Sequence, residues 1–318
     1  MRAFGPVPSR RLGRSLGVNN IPPKVCTYSC AYCQVGRTTE MRVERRTFYD
    51  PEEIVDDVRN KVEKAKEAGE SIDYLTFVPD GEPTLDVNLG REVEMLRPLG
   101  IQIAVITNAS LIWRMDVRED LMKADWVSLK VDSTREDVWR RLNRPHRTLQ
   151  LASIMDGMLD FARAFKGELV TETMLVRGIN DGREHVEQVA AFVACLKPSR
   201  AYLSVPIRPP AETWVQAPGE EAINRAYHVL RGEVWQVEYL IGYEGNAFAF
   251  TGNVEDDLLS ITAVHPMRED AVDAFLARAG SGWPTVRELV ARRQLIETAY
   301  RGRRFYVRRL PGRHRCEM

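Results

Sequence analysis

Short apolar runs alternate with amphipathic stretches between residues 50 and 231, and this alternation predicts repeated strand–helix units. The predicted strands are 14–20, 73–78, 101–107, 126–132, 168–176 and 201–207. The predicted helices are 50–69, 88–98, 114–123, 149–165, 183–196 and 219–231. Because each strand is followed by a helix, the chain is expected to form an α/β fold around a parallel sheet, either open or curled into a barrel.

The faces of these strands favour a curled sheet with a polar interior. In the strand at 126–132, aliphatic side chains alternate with Ser128, Lys130 and Asp132. Strands of a doubly wound sheet are buried on both faces and are apolar throughout, whereas a closed eight-stranded barrel fills its interior with aliphatic side chains. Six strands with one polar face therefore predict a partial (β/α)6 barrel, similar to an incomplete TIM barrel, that admits a ligand.

The pattern changes after residue 232. The segment that follows predicts hairpins with a turn at residues 244–246, and the last part of the chain resembles a small winged-helix domain. The predicted elements of that last part are a helix at 266–279, a second helix from Thr285 to Arg293, and a hairpin of strands 295–300 and 305–308. The expected domains are a barrel over 1–232, a hairpin connector over 233–261, and a winged-helix-like domain with a tail over 262–318.

Composition places the chain among ordinary globular proteins. It has 318 residues, of which 44% are hydrophobic and 28% charged. No run approaches the ~18 consecutive apolar residues of a membrane span, and the N-terminal residues lack the apolar core of a signal peptide. We therefore expect a cytoplasmic protein with no membrane partner.

Charge is distributed unevenly along the chain. The formal net charge is zero, yet residues 262–315 hold 12 arginines against 5 acidic residues, a net charge of +7. This contrast predicts that the C-terminal part meets an anionic partner.

Three of the five cysteines, Cys26, Cys30 and Cys33, crowd into eight residues with the spacing C-x3-C-x2-C. A structural zinc site needs four ligands, usually two separated pairs, and no second pair exists: Cys195 is expected to be a core thiol, and Cys316 lies in the tail. Three thiolates on a four-iron cluster would leave one iron open for chemistry. Zinc completed by a distant histidine is the alternative.

This cysteine spacing, with the aromatic Tyr32 before the third cysteine, resembles the signature of the radical S-adenosylmethionine (SAM) superfamily. Gly81, Glu82 and Pro83 follow the second predicted strand and resemble the superfamily's GGE-type motif, with Asp80 in place of its first glycine. Further segments are similar to iron–sulfur oxidoreductases grouped with the tRNA-wyosine synthases. Those synthases carry additional cysteines N-terminal to this motif, whereas residues 1–25 of this chain contain none.

The resemblance implies a [4Fe–4S] cluster on the three cysteines, SAM on the fourth iron, and an electron donor such as flavodoxin or ferredoxin. The reduced cluster would cleave SAM to a 5′-deoxyadenosyl radical that abstracts a hydrogen from a substrate. The GEP turn would hold the SAM amino group. Tyr32, Asn108, Asp132 and Arg208 are further candidates for cofactor binding, and the last three end the third, fourth and sixth predicted strands. Capping of a helix by Asn108 and Asp132 is one alternative, and an ion-paired network for Lys130 and Arg208 is another.

The substrate is not specified by these motifs. A basic C-terminal domain with aromatic residues is expected to recruit either RNA or a peptide. A small-molecule substrate is a further alternative. A redox-sensing iron–sulfur regulator would use the same cysteines and basic domain, but it does not need the barrel.

Overall fold

The computed structural model describes residues 2–78, 80–242, 245–246 and 248–309, and the strands of these residues form one large sheet and two small ones. In chain order the strands are β1 (Ala3–Ser9), β2 (Gly13–Val18), β3 (Val25–Cys26), β4 (Glu40–Met41), β5 (Tyr74–Phe77), β6 (Gln102–Thr107), β7 (Trp126–Lys130), β8 (Glu168–Met174), β9 (Arg200–Ser204), β10 (Val237–Leu240), β11 (Met267–Arg268), β12 (Leu295–Tyr300) and β13 (Arg303–Arg308). Glu244 of the predicted turn and the tail with Cys316 lie outside the described residues.

The helices lie between and after these strands. They are α1 (Pro51–Glu67), α2 (Leu89–Leu96), α3 (Met115–Leu121), α4 (Glu136–Leu142), α5 (Leu151–Ala164), α6 (Arg183–Leu196), α7 (Glu220–Glu233), α8 (Val254–Val264), α9 (Glu269–Arg278) and α10 (Trp283–Ala291), with 3-10 turns at Pro83–Leu85 and Arg97–Leu99. The acidic start of α1 follows the predicted pattern, because the Asp50 side chain caps it by accepting a hydrogen bond from the Glu52 amide. None of the helices in the described residues is long and apolar enough to cross a membrane.

The large sheet has the strand order β1-β2-β5-β6-β7-β8-β9-β10 and curls into a half barrel. The pair β1–β2 is antiparallel, and the neighbours from β2 to β10 are parallel. The predicted α/β partial barrel is confirmed, and its six predicted strands correspond to β2 and β5–β9. Strands β1 and β10 extend the sheet at its two edges and were not predicted.

The two faces of the sheet differ as the alternation predicts. Aliphatic side chains on the outer face, such as Val127 and Leu129 of β7, pack under the helices in the main core. The inner face is polar only toward the carboxyl ends of the strands. Toward their amino ends, the tip of the β1–β2 hairpin inserts Leu12 among inward-facing side chains, namely Ala104, Trp126, Val170, Tyr202 and Leu240. The half barrel therefore has an apolar floor beneath a polar lumen.

The segment 233–261, predicted to be a hairpin connector, has a different structure. It contains β10, which adds to the main sheet, and most of α8. The sequence interpretation did not predict α8. We call residues 254–309 the C-terminal unit; its strands form a sheet of order β11-β13-β12, and its winged-helix identity stays a prediction.

The C-terminal unit packs its own apolar core against β1 of the half barrel. Phe4 and Val7 of β1 belong to the same buried cluster as Leu258 and Ile261 of α8. A polar clamp adds to this contact, because Asp257 accepts hydrogen bonds from the Thr251 amide and hydroxyl (2.7 and 2.6 Å) and from Lys61 Nζ of α1 (2.7 Å). Residues of β1 and of the C-terminal unit therefore share an apolar cluster that is separate from the main core under the helices.

Candidate active site

The three clustered cysteines lie on the loop after β2, at the carboxyl edge of the parallel strands. Two of their sulfurs accept hydrogen bonds from asparagine side chains of the half barrel. Asn108 Nδ2 lies 3.6 Å from Cys26 Sγ, and Asn143 Nδ2 lies 3.6 Å from Cys30 Sγ. An amide donor stabilises a thiolate relative to a thiol, so both asparagines favour the ligand form of these cysteines.

The chemistry of this donor set fits an iron–sulfur cluster. Burial raises the pKa of Cys26 to about 12 and that of Cys30 well above its usual value, and the neighbouring sulfurs contribute to both shifts. A bound metal reverses this effect, because a coordinated thiol is deprotonated outright. Among the described residues no three His, Cys, Asp or Glu side chains converge on a single-ion site. Thiolates that ligate different irons of one cluster need not converge on one point.

The turn at Gly81 is hydrogen-bonded to the chain just before Cys26. The Lys24 amide donates to the Asp80 carbonyl (2.9 Å), and the Glu82 amide donates to the Val25 carbonyl (3.2 Å). A Cβ atom at position 81 would overlap the Val25 carbonyl oxygen. Gly81 therefore has a steric role beside any role in cofactor binding: it lets the turn pack directly on β3.

The Glu82 side chain is fully buried and points toward the end of β6. Its Oε1 accepts hydrogen bonds from the Thr84 amide (3.2 Å), the Thr84 hydroxyl (2.6 Å) and the Thr107 hydroxyl (2.6 Å), and its Oε2 accepts one from the Asn108 amide (2.8 Å). Burial raises its pKa, and these hydrogen bonds oppose that shift. Pro83 starts the following 3-10 turn, and its carbonyl accepts a hydrogen bond from Asn20. The carboxylate thus fixes the backbone at Asn108.

Asn108 and Asp132 do not cap helices, so that alternative is wrong. The side-chain amide of Asn108 (Nδ2) donates both to Cys26 Sγ and to the Thr27 hydroxyl, the latter at 2.8 Å. Asp132 accepts hydrogen bonds from the Tyr32 hydroxyl, from Asn143 Nδ2 (2.8 Å) and from the Met174 amide (2.8 Å). Both residues join the cysteine loop to the ends of strands.

Tyr32 lies between Asp132 and the polar lumen. Lys130 Nζ is 5.1 Å from the centre of the Tyr32 ring, a cation–π distance. Burial and the Asp132 carboxylate raise the pKa of the Tyr32 hydroxyl well above its usual value, so it stays protonated and donates. The residue before the third cysteine is thereby held by its hydroxyl and by its ring.

The lumen contains an ion-paired network centred on Glu172, a residue that the sequence interpretation did not single out. Its carboxylate accepts hydrogen bonds from Lys130 Nζ (2.8 Å), from the Ser204 hydroxyl (2.9 Å) and from Arg11 of the hairpin tip. Burial opposes ionisation of Glu172, but the charges of Lys130 and Arg11 hold its pKa well below the usual range. The network predicted for Lys130 is therefore present, with Glu172 as its anion.

Arg208 lies on the rim after β9 and is buried. Its NH1 donates to Gln34 Oε1 at 2.6 Å, and its NH2 lies 3.0 Å from His265 Nε2. Gln34 directly follows Cys33, and His265 follows α8. The structure thus brings the predicted residues of the cysteine loop, the GEP turn, β6, β7 and β9 to one edge of the sheet. Cys195 takes no part: it is exposed on α6, and its expected place in the core is wrong.

Comparisons with known proteins identify the class of this fold and site. The sequence profile of the radical SAM superfamily matches residues 20–193, and the chain belongs to that superfamily as an enzyme of the radical SAM type. A radical SAM methyltransferase from Sphaerobacter thermophilus has a similar fold, with a TM-score of 0.53 at 17% identity over 71% of this chain and 66% of the other. A structure of TYW1 with a lysine–pyruvate adduct bound is also similar, with a TM-score of 0.52 at 17% identity over 70% of this chain and 74% of the other.

Similarity also extends over the whole chain. A UPF0026 protein of Methanocaldococcus jannaschii is 48% identical over 313 residues, which are 98% of this chain and 97% of that protein. The matched residues therefore include the C-terminal unit, which lies beyond the superfamily profile.

Proposed function

We propose that Cys26, Cys30 and Cys33 hold a [4Fe–4S] cluster and that this enzyme uses it with SAM to abstract a hydrogen atom from an RNA or peptide substrate. The observation that carries the proposal is the pair of asparagine amides aimed at two of the three sulfurs, at the strand edge where barrel enzymes bind ligands. When bound, the reduced cluster and SAM supply a 5′-deoxyadenosyl radical; flavodoxin or ferredoxin is the expected class of electron donor.

The residues of this chain bind and orient. The GEP turn, Gly81 to Pro83, is hydrogen-bonded to the chain just before Cys26, and its backbone carbonyls would accept hydrogen bonds from the SAM amino group. Asn108 and Asp132 would offer amide and carboxylate groups to the nucleoside of SAM. Arg208 would offer a guanidinium to the carboxylate of SAM or to the substrate. The apolar floor at Leu12 closes the lumen from below and keeps water from a reactive intermediate.

The C-terminal unit is proposed to recruit the substrate through its β12–β13 turn. Many arginines of this unit are already paired on the surface, as Arg268 is with Asp270 and Arg292 with Glu288. At the turn, Arg301 and Arg303 are exposed, and no ion pair is recorded for either within the described part of the chain. The turn begins near the rim, since the Tyr300 hydroxyl donates to the Pro206 carbonyl at 3.1 Å.

The test of the radical chemistry is anaerobic reconstitution followed by reduction with SAM present. We expect about four irons per chain and formation of 5′-deoxyadenosine. Each single change of Cys26, Cys30 or Cys33 to Ala should abolish SAM cleavage, whereas Cys195→Ala, the matched control, should leave it unchanged. A fully active variant at any of the three clustered positions would contradict the assignment.

The test of recruitment replaces Arg301, Arg303 and Arg304 together by Ser. For an RNA partner, the slope of log affinity against log salt should flatten by about two to three units, because each lost phosphate contact contributes just under one. For a peptide that adds to the free edge of β12, the slope should be shallow and the effect mild. The control changes Arg140, Arg163 and Arg183 to Ser. These arginines are exposed and form ion pairs within their own helices, so the control removes the same amount of charge at another place on the surface. Equal effects of the two triple variants on RNA affinity would contradict recruitment by the turn.

A further inference from the structure

The Gln34 side chain makes a contact between the cysteine loop and the C-terminal unit. Its Nε2 donates a hydrogen bond to the Val264 carbonyl at the end of α8 (3.0 Å), while its Oε1 accepts one from Arg208 on the rim (2.6 Å). Gln34 is the next residue after Cys33. One amide therefore connects the third cysteine, the half barrel and the C-terminal unit.

The surroundings of this amide are buried and well packed. Arg208 and His265 are each 8% exposed. The His265 ring packs edge-to-face on Phe248 with 5.0 Å between ring centroids, and the Arg208 contact links this end of α8 to the rim. Hydrogen bonds sheltered in this way hold their partners more firmly than exposed ones do.

Cys33 depends on this anchor more than the other two cysteines do. The sulfurs of Cys26 and Cys30 each receive an asparagine amide from the half barrel. For the Cys33 sulfur no such bond is recorded among the residues described. Its backbone is held in local turns, with the Cys33 amide donating to the Cys30 carbonyl and the Gly36 amide to the Cys33 carbonyl, both at 3.1 Å.

We propose that the C-terminal unit is a structural part of the radical-generating site, and that Gln34 is the positioning residue that holds the Cys33 loop against α8. The charge contrast along the chain predicts an appendage that only recruits substrate. The contact from Gln34 to Val264 gives the same unit a second role at the cluster. This inference rests on the proposed function in so far as Cys33 is a cluster ligand.

The experiment measures the alkylation rate of each cysteine in the full-length protein before cluster loading, with the sites resolved by mass-spectrometric fragmentation. Gln34→Ala removes both hydrogen bonds. Gln34→Glu keeps an acceptor for Arg208, now a carboxylate that forms an ion pair with it, and replaces the donor to Val264 by an oxygen that cannot donate. Because one sheltered hydrogen bond is lost from a local closed state, we expect Cys33 to react about three- to tenfold faster in both variants.

Internal references separate positioning from general loosening. Exposed Cys195 should react at the wild-type rate in every variant, and Cys26 should change less than twofold. Gln216→Ala is the matched control, since this exposed rim glutamine accepts a hydrogen bond from Arg177 and does not contact the cysteine loop. Equal acceleration at Cys26 and Cys33 would overturn the proposal, because it would indicate general loosening of the loop. Wild-type behaviour of Gln34→Glu with fast Gln34→Ala would also overturn it, because only the Arg208 bond would then matter.

A second measurement uses the reconstituted holoprotein. Iron loss to a chelator under anaerobic conditions should be faster in Gln34→Ala and Gln34→Glu by a similar factor, and unchanged in Gln216→Ala. Unchanged iron loss in both Gln34 variants would overturn the proposal. The alkylation result needs neither SAM nor a cluster, so its failure leaves SAM cleavage as an independent test of the proposed function.

Discussion

Replacing Glu82 by Ala should destabilise the whole protein, and any loss of SAM affinity should follow from that. The carboxylate accepts four hydrogen bonds inside the protein, from Thr84, Thr107 and Asn108, and it is 1% exposed. Removal leaves two backbone amides, those of Thr84 and Asn108, without an acceptor in a buried site. The threonine hydroxyls can rotate toward other acceptors, whereas the amides cannot.

The magnitude follows from the amides. An orphaned buried donor costs about 1–3 kcal/mol, so two of them predict a fall of about 2–6 kcal/mol in the free energy of unfolding for Glu82→Ala. Thr107→Val removes one of the four bonds and also removes the acceptor of the buried Ala109 amide (2.9 Å), so we expect a cost of about 2–4 kcal/mol. Thr173→Val is a milder comparison: this threonine donates to the Val131 carbonyl and should cost about 1 kcal/mol without disturbing Asn108.

Urea denaturation of the metal-free variants, followed by circular dichroism, measures these differences, and SAM affinity of the reconstituted proteins is measured in parallel. Asn108 carries the amide that reaches Cys26, so Thr107→Val should weaken SAM cleavage and Thr173→Val should not. The reasoning fails if Glu82→Ala unfolds within about 0.5 kcal/mol of wild type while its SAM affinity falls tenfold. That outcome would make the carboxylate a direct ligand of SAM, as the sequence motif alone predicts.

Three further perturbations test other parts of the structure. Burial, with the Asp86 and Asp120 carboxylates, raises the pKa of Glu92 to about 9, so wild type loses stability as the pH rises above about 4.5 and this carboxyl ionises in the unfolded chain. Glu92→Gln has no such loss, so its free energy of unfolding relative to that of wild type should rise by up to about 1.4 kcal/mol per pH unit. A difference in urea midpoint between the two proteins that is the same at pH 5 and pH 8 would contradict this. Gly81→Ala should lower both stability and cluster content, measured as Tm and iron per chain, because its Cβ would overlap the Val25 carbonyl; wild-type iron content would exclude this packing. Asp257→Ala leaves the Thr251 amide without its acceptor and Lys61 without its counter-charge, although Lys61 keeps the Thr251 hydroxyl as a hydrogen-bond partner (2.7 Å). This variant should cost about 3–5 kcal/mol, with earlier proteolysis in the C-terminal unit, whereas the exposed control Asp256→Ala should cost under about 1 kcal/mol.

The strand–helix units were predictable because their apolar positions repeat with a clear period. β1 was missed because Pro6 and Pro8 argue against a strand; they are tolerated in an antiparallel pair at the sheet edge. α8 was missed because most of its residues are buried. Seven of its eleven residues are buried, including all of 260–264, so its sequence lacks the polar face that marks an amphipathic helix.

The candidate site was predictable where chemistry lies in a local motif. The cysteine spacing and the GEP turn mark their own positions in the chain. The supporting partners depend on tertiary structure: Asn143 is 113 residues from Cys30, and Gln34 is 230 residues from Val264. A glutamine or asparagine in a loop has no pattern that assigns such a role. Gly81 did carry a signal, because a glycine inside a motif can indicate close backbone packing as well as ligand contact.

A half barrel that generates a radical must be enclosed, and its sheet alone does not enclose it. The two edge strands, β1 and β10, are not paired with each other, and the hairpin tip closes only the floor. The C-terminal unit supplies apolar cover at β1 through Phe4 and Val7 and a polar contact at the rim through Gln34. Truncation before residue 262 would therefore uncover the half barrel and loosen the Cys33 loop together. Because loss of SAM cleavage in a truncated chain cannot separate recruitment from enclosure, point variants at Gln34 and at the β12–β13 turn are needed to assign each role.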